Sequence, residues 1–157
     1  MGRKRSSTTP TTENRRARHQ YAIEDTLEVG IILLGSEVKS ARAGKVSLAE
    51  GYVRVQDRPP GLFLHGVNIA EYPPAPGAHT PTRARTLLAH KKEIEKLARR
   101  VAIKGVTIVP LRLYFKKGYA KVLIGVGRGR SHHDKRDALA QREARREIDR
   151  AMSRRMR

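Results

Sequence analysis

Apolar and polar residues alternate along three stretches of the chain. Across positions 21–33 the odd residues read Tyr, Ile, Asp, Leu, Val, Ile and Leu, while the even residues from 22 to 30 read Ala, Glu, Thr, Glu and Gly. A period of two predicts a long strand with one buried face, and Asp25 on that face marks a bend or bulge. Val109, Leu111, Leu113 and Phe115 alternate with Pro110, Arg112 and Tyr114. Ala120, Val122, Ile124 and Val126 alternate with Tyr119, Lys121, Leu123 and Gly125. Lys117-Gly118 between them suits a two-residue hairpin turn. Shorter runs at 52–56 and 62–67 flank Asp57-Arg58-Pro59-Pro60-Gly61 and predict another hairpin.

Helical spacing occurs twice more. Ser36 to Gly44 reads as a short helix, Ser36 capping it and Gly44 ending it in the left-handed region. Ile94, Leu97, Ala98 and Val101 recur at i, i+3, i+4 and i+7, with Leu87 one heptad earlier, predicting an amphipathic helix that ends at Gly105. Between these helices the segment 72–81 carries four prolines and excludes helix or central strand.

Five or six antiparallel strands with few helices predict a mainly β fold. A small antiparallel β-barrel of the oligonucleotide-binding (OB) type fits, because closure removes exposed strand edges. The pattern does not separate such a barrel from a sandwich. Three segments are expected: a disordered basic arm at 1–13, a body at 14–130 and a basic C-terminal tail at 131–157. The arm is Ser/Thr-rich without apolar periodicity. The tail lacks Gly and Pro from Asp134 to Met152 and is rich in helix formers. Its apolar stripe of Ala144, Ile148, Ala151 and Met152 is thin, which predicts a helix that orders on a polyanionic partner.

Charge narrows the function. Lys and Arg number 34 against 15 Asp and Glu, a net charge of +19. Residues 1–20 carry +5, residues 21–127 carry +8 and residues 128–157 carry +6, so both ends are denser in cations than the middle. The expected partner is a nucleic acid. The absence of cysteine excludes disulfides, thiol catalysis and cysteine-based metal sites. No apolar run approaches the roughly 20 residues of a membrane span, and the first residues lack the apolar stretch of a secretory signal, so a cytoplasmic protein is expected.

Three constellations bear on catalysis. Consecutive His132-His133-Asp134 seldom converge on one ion and lack further ligands, so no metal is expected. Gly125-Val126-Gly127-Arg128-Gly129 lacks the following helix of a dinucleotide site and the Gly-Lys-Ser/Thr of a phosphate loop. It reads instead as a flexible hinge before the tail, with Arg128 and Arg130 free to meet phosphate. Glu24 and Glu28 on one strand stand roughly 13 Å apart, wide for an acid–base pair, and read as solvated charges. No catalytic residue or cofactor is expected. Arg112, Tyr114, Tyr119 and Lys121 mix cations with stacking surface on polar strand faces, and Arg18, His19 and Tyr21 lie where the arm meets the first strand. Only seven aromatic side chains are present, which favours backbone and shape recognition of folded RNA over reading a long single strand. Two other classes remain open: a ribosomal or assembly protein filling rRNA, and a nuclease using His132 or His133.

Asn14-Arg15-Arg16-Ala17-Arg18-His19-Gln20-Tyr21-Ala22-Ile23 resembles the N-x-x-A-x-H-x-Y-x-I opening of the SsrA-binding protein (small protein B, SmpB) family. The resemblance continues through Glu28-Val29-Gly30-Ile31, Gly35 to Gly44, Pro81 to Leu88, Thr107 to Leu111 and His133 to Arg136. It implies an OB barrel with flanking helices that binds the tRNA-like part of transfer-messenger RNA (tmRNA, SsrA RNA) and delivers it to stalled 70S ribosomes for trans-translation. The tail would enter the decoding centre and the empty mRNA channel. Elongation factor Tu would be met only through the RNA. The implied RNA contacts are Asn14, His19, Glu28, Lys121, Arg128 and Arg130, to which Arg18 and Arg42 are added. The implied ribosome contacts are His133, Asp134, Lys135, Arg136, Ile148 and Met152. One departure is chemical: the family's Gly-Lys-Lys before the tail is Gly129-Arg130-Ser131 here, a planar donor in place of one point charge and a hydroxyl in place of the next.

Overall fold

The computed structural model describes residues 9–155. In chain order the elements are β1 (Thr12–Glu13), α1 (Arg15–Gln20), β2 (Tyr21–Ile31), α2 (Gly35–Arg42), β3 (Val46–Ser47), β4 (Tyr52–Gln56), β5 (Gly61–His65), β6 (Asn68–Ile69), β7 (Arg85–Leu88), α3 (Lys91–Val101), β8 (Val106–Lys116), β9 (Tyr119–Gly129) and α4 (His132–Arg155). One antiparallel sheet runs β1-β8-β9-β2-β7-β5-β4, and β3 pairs β6 separately. β4 packs against β8, so the sheet curls on itself although no ladder joins that seam. The fold is therefore mainly β, an antiparallel OB-type barrel flanked by helices. The main core fills the inside with Val29, Leu62, Leu64, Ile108, Leu113 and Ile124, and Ile94 and Leu97 of α3 pack onto it.

The turn between β8 and β9 is Lys117-Gly118, with φ of 51° and 82°. Positive φ at both positions matches the right-handed twist of the flanking strands, which is why Gly occupies the second. Gly44, φ 75°, follows α2 as expected.

Two bulges split what the alternation joined. The β2–β9 register shifts between Ile23 and Asp25, and the β8–β9 register between Pro110 and Arg112. A one-residue slip moves side chains to the opposite face. Before its bulge β2 sends Tyr21 and Ile23 outward; after it, Leu27, Val29 and Ile31 point inward. Leu111 likewise leaves the stripe it shares with Leu113 and Phe115. With Ala17 of α1, Val109, Ile23 and Leu123 it builds a second core on the outside of the barrel.

The structure corrects five expectations. Leu87 does not extend the α3 stripe; it is buried in β7, which bridges β2 and β5. The glycine-rich segment is no hinge, because Gly125 and Gly127 are buried in the middle of β9. A Cβ on Gly127 would lie 2.1 Å from the Ala22 carbonyl oxygen, and one on Gly125 would lie 2.8 Å from Leu111 Cδ1. These glycines let the Ala22–Ile23 backbone of β2 and the Leu111 side chain of β8 close against β9. Ser36 is not the α2 cap: Leu34 holds that position, and its N–H donates to Glu37 Oε2 at 2.9 Å. The Ser36 hydroxyl meets His79 Nδ1 at 2.7 Å instead. Since His79 Nε2–H donates to the Ile69 carbonyl at 3.0 Å, Nδ1 is the acceptor for Ser36. Within the segment expected to be disordered, 1–13, Thr12 and Glu13 are ordered: they pair with Leu113 and Arg112 as β1; residues 1–8 lie outside the described residues. Glu24 and Glu28 are not simply solvated, as described below.

A buried ionic cluster anchors the proline-rich loop. Glu37 and Arg85 are both fully buried. Glu37 Oε1 accepts from Arg83 Nε at 2.6 Å and Arg85 Nε at 3.0 Å, and its Oε2 accepts from Arg83 Nη2 at 2.7 Å. Arg85 also donates to the carbonyls of Val67 and Pro81, each at 2.9 Å. Burial pushes the Glu37 carboxyl up, but the Arg83 hydrogen bonds, the Leu34 N–H and Arg85 outweigh it and hold the group below the usual carboxylate range.

Candidate nucleic-acid interface

Outward-facing residues of β2, β8 and β9 form two zones. At the α1 end, Gly125 and Gly127 lie beneath the second core. Toward the hairpin the face opens. There Glu28 lies opposite Leu123, Gly30 opposite Lys121, and Lys121 opposite Tyr114. The Tyr114 hydroxyl donates to Glu28 Oε2, and Lys116 Nζ reaches Oε1 at 3.4 Å. The Tyr114 bond, aided by Lys116 and Lys121 against a smaller desolvation penalty, holds the Glu28 carboxyl below its usual range. Partial burial and the Glu28 charge push the Tyr114 phenol up to about 12. At neutral pH the site thus presents a carboxylate and a phenol beside the Lys116 and Lys121 side chains.

A groove beside this cluster is lined by Glu28, Gly30, Leu88, His90, Glu93 and Lys121. Leu88 is 54% exposed there, directly opposite Gly30. An exposed leucine between an acid and a cation offers apolar surface to a sugar or base. Leu88 escapes the sequence pattern because its neighbour Leu87 fits the helical spacing of α3, which hides the short strand. Strand alternation over 85–88, with Arg85 and Leu87 buried and Thr86 and Leu88 exposed, was the available signal.

The remaining expected contacts lie elsewhere. Arg128 is seven residues from Lys121 on β9, about 23 Å by strand rise. It pairs with Glu24 at 3.5 Å, while Glu24 also accepts from Arg100 at 2.6 Å. The Arg130 N–H donates to the Gln20 carbonyl at 2.8 Å, and its guanidinium Nε is buried without a partner. Arg18 and His19 occupy the last turn of α1, so these two, Arg128 and Arg130 gather around the α1–β2 junction. Arg42 stands apart on α2, its guanidinium 5.2 Å from the Phe115 ring centroid. Asn14 is turned largely inward. It is 4% exposed, and its amide donates to the carbonyls of Leu48 and Pro110, both at 2.9 Å, while its Oδ1 accepts from Ala17 N–H at 3.1 Å. It caps α1 and staples it to the barrel.

The tail is a 24-residue helix, α4, roughly 36 Å long by helical rise. It packs against α1. Lys135 is half-buried and Arg136 exposed. Leu139, Ile148 and Met152 are 46%, 59% and 63% exposed, so the apolar stripe faces no part of the body. His133 and Asp134 belong to the first turn, and their side chains lie outside the described set. Among the described residues, no helix is long and apolar enough to cross a membrane.

An OB-type barrel with an open face of cations, a phenol and a carboxylate, extended by a basic helix, defines a nucleic-acid-binding protein. The family model described as SmpB protein matches residues 11–154, and the chain belongs to that family. An SsrA-binding protein from Roseiflexus sp. (strain RS-1) is 52% identical over 148 residues, covering 92% of each chain. Those from Parafrankia sp. (strain EAN1pec) and Shouchella clausii (strain KSM-K16) are 50% and 46% identical, covering 90% and 92% of this chain and 89% and 92% of their own. A solved chain from a structural study of tmRNA-SmpB at the centre of the bacterial ribosome is 45% identical, with a TM-score of 0.64 over 83% of this chain and 94% of that one.

Proposed function

We propose that this chain binds the tRNA-like part of tmRNA and delivers it to stalled ribosomes for trans-translation. The observation that carries the reading is the Glu28–Tyr114–Lys121 cluster on the open sheet face. A carboxylate repels phosphate, so a site built for nonspecific backbone binding would not keep Glu28 among its lysines. Tyr114 occupies Oε2 of Glu28, and the long Lys116 contact leaves Oε1 able to accept from a ribose 2′-OH or a base edge. Lys121 and the cations around the α1–β2 junction take phosphates. Names of relatives and the ribosome-bound tmRNA-SmpB neighbour support the same partner.

The helix α4 serves the second surface. Its free stripe at Ile148 and Met152, with Lys135 and Arg136 nearer the body, suits the decoding centre and mRNA path of a ribosome whose mRNA has run out. Elongation factor Tu is reached through the RNA. The protein works in the cytoplasm and catalyses no reaction.

Sequencing of RNA that co-purifies with the full chain tests the reading. The expected result is strong enrichment of tmRNA. Recovery of rRNA alone, in proportion to ribosomes, would favour a structural filler instead. Cutting the chain after Arg130 should leave tmRNA affinity within about threefold while abolishing tagging of stalled peptides; loss of RNA binding would overturn the division between body and tail.

A further inference from the structure

A second groove lies between α1 and the segment entering β4. Arg16, Gln20, Tyr21, Glu50 and Tyr52 are among its lining residues, and none of its lining is shared with the groove at Glu28 and Lys121. Two of the chain's five tyrosines therefore border one recess. Tyr52 is 50% exposed. It stacks on His65 with ring centroids 5.3 Å apart and an interplanar angle of 13°. That stack uses one face of the tyrosine ring and fixes its orientation before any ligand arrives, so adding a third ring orders little more.

The polar lining suits the edge of a base. The Gln20 side-chain amide offers a donor and an acceptor, and the Glu50 carboxylate accepts. Arg16 Nη1 meets Glu50 Oε1 at 2.7 Å, with side chains 56% and 75% exposed, and an ion pair so open to water separates at little cost. Arg15 and Arg18 are exposed on the same short helix, within reach of phosphates flanking a seated base.

We propose that this groove is a single-nucleotide subsite for one unpaired base of a bound RNA. The base stacks beside Tyr52, its edge meets Gln20 and Glu50, and the adjoining phosphates lie on Arg15 and Arg18. The inference rests on the RNA-binding reading above and adds a base-stacking contact remote from Glu28.

The test photocrosslinks the full chain to a uridine hexamer RNA carrying one 4-thiouridine, with an abasic hexamer as competitor. Crosslinks should map to Tyr52 or Tyr21 and survive an excess of the abasic strand, which supplies phosphates without bases. Yield should fall about tenfold in Tyr52→Ala and persist in Tyr52→Phe. Thermal unfolding of Tyr52→Ala checks its fold. Ala49→Glu, which adds a carboxylate at the groove rim without touching the stack, should also lower the yield. Crosslinks confined to other segments, or undiminished in both variants, while the chain still binds a folded tRNA-like RNA would overturn the subsite and leave the RNA reading standing. Failure to bind either RNA would overturn both.

Discussion

The Tyr114 hydroxyl donates to the Glu28 carboxylate between β8 and β2, across the intervening β9. The bond couples two titrations. Glu28 is depressed, so its contribution is complete above the ordinary carboxylate value and is lost as pH falls through its folded value. Tyr114 is raised to about 12, so its contribution is complete below the ordinary phenol value of 10.0 and is lost as pH rises from there toward 12. The pair is intact throughout the neutral range. Ultraviolet titration of tyrosinate should find one of the five tyrosines ionising near 12. In Glu28→Gln that tyrosine should move part of the way back, burial retaining the rest.

Glu37 is the counter-charge of a fully buried arginine. Glu37→Gln should destabilise the chain by about 3–5 kcal/mol in urea unfolding, because it strands Arg85 in the interior. Stability from Glu37 is complete above the ordinary carboxylate value and falls as pH drops through its lower folded value. The variant should show less of that acid dependence than the parent chain.

Gly127 and Gly129 are two residues apart on β9 but differ in surroundings. Nothing stands within 4 Å of a Cβ on Gly129, whereas one on Gly127 collides with the Ala22 backbone. Gly127→Ala should cost at least about 2 kcal/mol by thermal unfolding, and Gly129→Ala less than about 1.

Asn14→Ala removes the donor to two buried carbonyls and the acceptor for the Ala17 N–H. A loss of roughly 2–3 kcal/mol in urea unfolding is expected. Where the variant remains folded, its RNA affinity should match the parent's, since the side chain is spent on structure.

Much of the barrel was legible because its long strands keep period two within each half. The bulge of β2 was also legible, from Asp25 on its apolar face; that of β8 was not, because a slipped register leaves the odd–even count in the sequence unchanged: Leu111 and Leu113 look equivalent in one dimension yet face opposite sides of the sheet. Leu87 fitted a helical heptad by coincidence of spacing, and only the pairing of β7 with β2 and β5 assigns it. The glycines of β9 read as flexibility because the chain passing over them is distant in sequence. Glu28 and Lys121 are brought together by the β2–β9 ladder, whereas Asn14, polar and near the basic arm, is turned inward by carbonyls 34 and 96 residues away.

Equilibrium binding of the full chain to the tRNA-like part of tmRNA, compared with Glu28→Ala and Lys121→Ala, tests the RNA interface most directly. Each substitution should weaken binding by about tenfold, as loss of a hydrogen bond to a charged group implies, with the fold unchanged. Affinities within twofold of the parent for both variants would contradict the placement of the RNA on the open face of β2, β8 and β9.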